Sequence, residues 1–310
     1  MSDSDPPTRP LLSVSIQPVA DDDQKKLAHA LSRLADENPI MTVSTDSTDG
    51  RVILGVTSES QLESMCDQFS REYEIELLID EPRVIYVETI QRASEAEGKY
   101  IRQVGGHGNY GHVKLRLEPS DSGCGNQFIN ETKDSQIPAE FIEHVNLGIL
   151  EAAKLGILAG YEMVNFRAIL YDSSFHPEDS NKMAFKFAGS IAFKEAARKA
   201  FPIVMEPVMS IEAEVPEKYL NRVVGEMNDR RGRIEGMEHR NGSVTVQATI
   251  PLAELLRSSK HGAASYQMRF AGYEPVPHGG WNRDDGAGVT ANKPDGPRTG
   301  RGSASAELDT

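Results

Sequence analysis

Cysteine is nearly missing from this 310-residue chain: Cys66 and Cys124 are the two, with neither a CxxC pair nor a histidine at zinc-ligand spacing. A disulfide framework and a structural zinc are therefore excluded as the devices that hold the fold. Long apolar runs are missing as well. None approaches the roughly 20 residues needed to cross a bilayer, so no membrane partner is expected. The opening MSDSDPPTRP is acidic and proline-rich, with neither the basic nor the apolar part of a secretory leader, which points to a cytoplasmic location. The signatures of common catalysts are also wanting. The chain has no GxxxxGK(S/T) loop to cradle phosphates, no GxSxG nucleophile elbow and no HExxH metal helix, and each chemistry needs its residues at that spacing. Asn292-Lys293-Pro294-Asp295 spells a guanine-reading NKxD pattern, but it stands apart from any strand or phosphate loop and is read as coincidence.

What is present is an excess of acid, giving a net charge of -14. That balance argues against a protein that simply coats nucleic acid. The acid is unevenly spread, however. Residues 11–82 carry 5 Lys+Arg against 15 Asp+Glu, residues 83–203 carry 14 against 15, and residues 204–276 carry 9 against 10. Salt limits the reach of exposed charge to about 8 Å, so the later segments remain able to meet a polyanion locally.

Periodicity divides the chain into three. LLSVSI alternates as a strand does, QKKLAHALSRLADEN places Leu27, Ala30, Leu31 and Leu34 at helical spacing, and Pro39 closes that helix. MTVST and RVILGV flank an Asp49-Gly50 turn, SQLESMCDQFSREY is a second amphipathic helix, and IELLI is a last strand. This β-α-β-β-α-β order is a split βαβ sandwich over residues 11–82. The order recurs over 204–276: VMSIEAEV, a helix in PEKYLNRVVGEMNDRR with Pro216 in its first turn, RIEGME and SVTVQATI around Asn241-Gly242, a short PLAELLR helix, and SYQMRFAGY. Between them, residues 83–203 hold strands at IYVETI, YIRQV and HVKLRLEP, a helix at 138–155, a strand at VNFRAILY and a long helix in NKMAFKFAGSIAFKEAARKAF. On that helix Met183, Ala184, Phe187, Ala188, Ile191 and Ala192 read as the apolar face, and Lys182, Lys186, Lys194 and Arg198 as either a solvated surface or a row of phosphate contacts. Residues 1–10 and 277–310 lack periodicity and are expected to be disordered.

GGHGNYGHVKLRLEP contains Gly106-x-Gly108-x-x-Gly111, the spacing of a dinucleotide loop. Such a loop needs a helix after it to receive the pyrophosphate. Here Val113, Leu115 and Leu117 alternate with Lys114, Arg116 and Glu118, so the glycines join two strands instead. The loop is then either a plain hairpin tip or a binding tip. Its side chains favour binding: His107, Asn109, Tyr110 and His112, flanked by Arg102 and Lys114, offer donors and a ring suited to exposed nucleotides.

EGKYIRQVGGHGNYGHVKLRLEP closely resembles elongation factor G, and further motifs match that family in order: LYDSSFHPEDS, MAFKFAGSIAFKEA, EPVMSIEAEVPEKYL, GEMNDRRGRIEGME and IPLAEL, with KLAHALSRLADENP and EPRVIYVETI upstream. The resemblance covers about residues 10–276 and corresponds to the family's third, fourth and fifth domains. It implies an α+β fold of three domains, two ferredoxin-like split βαβ sandwiches flanking a ribosomal-protein-like α/β domain. It also implies a ribosome-binding module that assists movement of transfer RNA and message by mimicking transfer RNA. The family's GTPase domain has no counterpart here, so neither enzyme activity nor a cofactor is expected of this chain; as a fragment or a split-gene half, it would meet GTP and magnesium only through a missing GTPase domain supplied elsewhere, a separate polypeptide being one such source. The alternative is a stand-alone paralogue, without a GTPase partner, that regulates or protects ribosomes. The candidate RNA-binding residues are Gly105, Gly106, His107, Gly108, Asn109, Tyr110, Gly111 and His112 in the glycine loop, with Ser174 and His176, which the resemblance places beside that loop at the outer tip. Arg230 and Arg231 are added, with phosphate contact and simple complementing of a helix end left as alternatives. His107 and Asn109 depart from the family's usual arginine and glutamine, and Ser173 from its usual glycine.

Overall fold

The computed structural model describes residues 9–46, 50–104, 107–121, 124–133, 136–240, 242–257 and 266–277. The disorder expected at the two ends, like the Asp49 and Asn241 turn positions, falls on residues outside this set.

The first unit runs β1 (Leu12–Pro18), α1 (Gln24–Glu37), β2 (Thr42–Thr45), β3 (Val52–Val56), α2 (Glu59–Glu72) and β4 (Leu77–Ile79). Its antiparallel sheet has the order β2-β3-β1-β4, the arrangement two interleaved split βαβ halves require. The buried residues of α1 are Leu27, Ala30, Leu31 and Leu34, the four that stand at helical spacing. That helix ends where Asn38 donates its backbone N–H to the Leu34 carbonyl, one residue before Pro39. The α2 helix starts on Ser58, whose hydroxyl accepts from the Gln61 N–H at 3.2 Å, satisfying a donor that the helix itself leaves open.

The middle unit, an arm, follows β5 (Arg83–Val84) and β6 (Val87–Ile90). It comprises β7 (Ser94–Val104), β8 (His107–Pro119), β9 (Gln127–Asn130), α3 (Ala139–Lys154), β10 (Phe166–Ser174) and α4 (Lys182–Lys199). Its sheet order is β7-β8-β10-β9, with β9 parallel to β10 and the other pairs antiparallel. Both helices pack over one face, on Val113, Leu115, Leu117, Ala168 and Leu170. The α4 helix is rotated from the expected register. It buries Ala184, Phe185, Ala188, Gly189, Ala192 and Phe193, whereas Met183 (56% exposed), Phe187 (43%) and Ile191 face outward. The reason is steric. This helix lies between the sheet and α3 and touches backbone on both sides: a Cβ on Gly98 or Gly111 would strike its carbonyls at Ala188 or Ala184, and one on Gly148 of α3 would strike its Lys186 carbonyl. Ala184, Ala188, Gly189 and Ala192 allow so close an approach, while Phe185 and Phe193 fill the core beside them.

The last unit comprises β11 (Pro202–Pro216), α5 (Leu220–Asp229), β12 (Arg233–Arg240), β13 (Ser243–Pro251), α6 (Leu252–Leu256) and β14 (Tyr266–Pro275). Its order, β12-β13-β11-β14, repeats that of the first unit. Pro216 closes β11 rather than sitting in the first turn of α5; a 3-10 turn at Glu217–Tyr219 comes between. β11 also extends backwards, since Pro202 to Met205 pair with Ile90 to Val87 of β6. The chain thus enters and leaves the arm through one antiparallel ribbon. Val204, Met209 and Leu252 of the last unit share a buried cluster with the first unit's helices, so the two sandwiches form a common base.

Candidate nucleic-acid interface

The far end of the arm is built from two segments. One is the β7–β8 hairpin, whose strands pair from Ser94↔Leu117 out to Val104↔His107; Gly105 and Gly106 lie outside the described residues, as does the side chain of His107. The other is the stretch from β10 to α4. They are tied together directly. The Tyr110 N–H donates to the Asp179 carbonyl at 2.8 Å, the Gly108 N–H to Asp179 Oδ1 at 3.2 Å, and Asn181 Nδ2 to Asn109 Oδ1 at 2.7 Å. A Cβ at position 108 would collide with the Asp179 carboxylate. Glycine there admits the carboxylate as a cap, which is a reason for this residue independent of any nucleotide.

Below these ties lies a polar chain. Tyr110 OH is 2.8 Å from Ser174 Oγ, and Ser174 Oγ is 2.7 Å from His112 Nδ1. His112 Nε2 lies 2.9 Å from Glu97 Oε1, though off the line a hydrogen bond needs, so Nε2 has no hydrogen-bond partner and the contact is electrostatic. In the tautomer with hydrogen on Nε2, Nδ1 accepts from the Ser174 hydroxyl and that oxygen accepts from Tyr110. Ser173 Oγ donates to the His112 carbonyl at 2.7 Å. Beside it Lys114 pairs with Asp172 at 2.9 Å; the hydrogen bond from Lys114 holds the Asp172 carboxyl below its usual range, and the same bond raises the Lys114 ammonium.

Of the residues expected to meet RNA, the structure gathers Gly108, Asn109, Tyr110, Gly111, His112, Ser174 and His176 at one end of the arm. It turns the polar groups of Asn109, Tyr110, His112 and Ser174 inward, where they join the two segments. His176 is the one that points out: its side chain is 54% exposed, with Nδ1 3.4 Å from Asp179 Oδ2. Phe175 beside it is also exposed. Phe175 is not among the residues the sequence singled out; its position just past the inward Ser173 and Ser174 is the signal that could have found it.

Arg230 and Arg231 lie elsewhere, at the end of α5. Arg231 adopts the left-handed conformation (φ 55) that glycine usually fills, and Gly232 donates to the Met227 carbonyl at 2.8 Å, closing a Schellman-type turn. Both arms of the Arg231 guanidinium bond Glu206, at 2.7 and 2.9 Å, and its Nε bonds Glu254 at 3.0 Å. Glu206 is 3% exposed. Arg231 is therefore a tie within the last unit, and the Glu206 hydrogen bonds push its pKa up.

The phosphate loop is missing from the sequence, and among the described residues no group of three or more His, Cys, Asp or Glu is placed to hold a metal. Among the described residues, likewise, no helix is long and apolar enough to cross a membrane.

Two like-wound split βαβ units form a base, and between them stands an arm ending in interlocked loops. The models of Elongation Factor G domain III, elongation factor G domain IV and the elongation factor G C-terminus match residues 8–81, 82–201 and 203–280. The chain belongs to the elongation factor G family and corresponds to its C-terminal half. A crystal structure of a Thermus thermophilus protein is similar at 35% identity and a TM-score of 0.65, over 88% of this chain and 42% of that one. The chain thus spans about two-fifths of that relative's length.

Proposed function

We propose that this chain is a ribosome-binding module whose arm carries His176 and Phe175 into contact with RNA at or near the decoding site, in the manner of a transfer RNA. One observation carries the reading: the glycine hairpin and the His176 loop are stitched into a single outward end by Asp179, Asn181 and Ser174. Such an end acts by shape and hydrogen bonding, and no bond need be made or broken there. The energy for translocation then comes from a GTPase domain outside these residues, and these residues alone turn over no GTP. The glycine loop, with Gly105, Gly106 and His107, belongs to the same proposed contact surface, and Arg230, at the end of α5, is a separate proposed phosphate contact. A second reading, a stand-alone ribosome regulator, draws support from Glu178 and Asp179 at the tip, carboxylates that weaken a phosphate contact.

Co-sedimentation with ribosomes over a salt series tests the module reading. Pelleting should fall steeply from about 50 to about 200 mM salt, and His176→Ala combined with Phe175→Ala should reduce it further at every salt. Absence of pelleting even at low salt would overturn the reading. Adding a separate GTPase-domain polypeptide distinguishes the two versions, since only a split translocase should then gain translocation.

A further inference from the structure

We propose that Glu88 is a positioning residue that fixes the angle of the arm on the base. Glu88 is fully buried, at 0% exposure, in β6 of the ribbon at the arm's root. Its carboxylate accepts five backbone hydrogen bonds from the loop after α3. Oε2 takes the N–H of Ile157 at 2.6 Å and Leu158 at 2.9 Å. Oε1 takes those of Ala159 at 2.7 Å, Gly160 at 2.9 Å and Tyr161 at 3.2 Å. Gly156 (φ 64) and Gly160 (φ 94) supply the left-handed turns that curl the loop around the carboxylate. Its main chain joins the same loop, with the Glu88 N–H donating to the Glu162 carbonyl and its carbonyl accepting from Val164, both at 2.8 Å.

The position of that loop is what turns a buried anion into a joint. Ala159 and Tyr161 pack against the buried cluster of the base, Tyr161 lies 5.4 Å from Tyr86, and Glu162 pairs with Arg9 at 3.2 Å. A two-stranded ribbon alone twists easily. The loop is a second attachment between arm and base, and Glu88 is its fastening. A carboxylate suits this place because both oxygens only accept; a glutamine of the same shape would turn an NH2 group toward backbone N–H donors. The inference deepens the ribosome-binding reading, since an arm that must reach a distant site needs a set angle, yet its test uses the protein without ribosomes and so stands or falls separately.

The test is a distance distribution between spin labels in the full chain, with Cys66 and Cys124 changed to serine. One pair, Ser70→Cys and Glu143→Cys, spans base and arm; a control pair, Lys99→Cys and Glu143→Cys, lies within the arm. Glu88→Gln should widen the base-to-arm distribution by about twofold as the second attachment loosens, with the control pair unchanged. Glu88→Asp, which keeps the charge on a shorter reach, should fall between Gln and the native residue. An unchanged base-to-arm width in folded Glu88→Gln protein would overturn the proposal, as would equal widening of the control pair. If Glu88→Gln does not fold, Glu88→Asp decides by the same criteria, and failure of both to fold overturns the proposal because the residue then supports folding and not orientation.

Discussion

The first and last units share one strand order and differ in almost everything that stabilises it. The first covers its sheet with two 14-residue helices, which bury seven residues between them and feed a large apolar cluster. The last has a 10-residue and a 5-residue helix, each burying a single residue, Met227 and Leu252. What the short helices omit, ionic ties supply: Arg231 joins the end of α5 to Glu206 of β11 and to Glu254 of α6, and Arg233 joins β12 to Glu274 of β14 at 3.0 Å. Strand order follows from the sequence of elements and their alternation, whereas stability can come from apolar cover or from charge ties. The two sources should respond differently to substitution.

Phe69→Ala should bring the largest loss. The residue is fully buried in the first unit's cluster, and removing such a ring costs about 3 to 5 kcal/mol, readable as a lower denaturant midpoint. Arg231→Met tests the other mode. It leaves Glu206 buried without its counterion, for a loss of about 2 to 3 kcal/mol after allowing for the solvent that reaches the arginine; adding Glu206→Leu should restore most of it. If Arg231→Met alone were neutral, the contrast between the units would collapse. Ser58→Ala removes the α2 cap and should cost about 1 kcal/mol, an effect with no equivalent on α5, which begins without a side-chain cap.

The smallest effect at neutral pH belongs to Tyr273, where the units meet. Its hydroxyl is buried without a hydrogen-bond partner among the described residues, and burial pushes its pKa up from 10.0 to about 12. The folded state thus holds this proton more tightly than the unfolded state does. The associated stability is complete below pH 10 and is lost as pH rises toward 12. Tyr273→Phe should leave neutral stability within about 0.5 kcal/mol and remove that share of the alkaline loss in a pH series of melts. An unaltered alkaline limb would show that another group carries it.

Much of this fold is legible from spacing. The buried face of α1 reads directly from Leu27, Ala30, Leu31 and Leu34, and the glycine loop is identified as a strand-to-strand hairpin by the alternation of Val113, Leu115 and Leu117. The α4 face is half right: Ala184, Ala188 and Ala192 are buried as read, but Phe185 and Phe193 join them in place of Met183, Phe187 and Ile191, because closeness of backbones, which hydropathy does not encode, decided the register. The candidate tip was half legible. The resemblance put the two loops side by side, as they are, but which side chains turn inward depends on partners about 60 to 70 positions away, such as Ser174 for Tyr110. The clasp around Glu88 was invisible for the same reason, since an acid in a strand gives no sign of the five amides that enclose it.

The unbroken run of β11 has a mechanical consequence. One strand begins beside β6 at the root of the arm and continues through the middle of the last sheet, so the two bodies share an axle with no loop to act as a slip joint. Torque applied to the last unit, for instance by a surface that grips and turns it, runs into the arm along this strand, and the loop clasped by Glu88 braces the ribbon against twist.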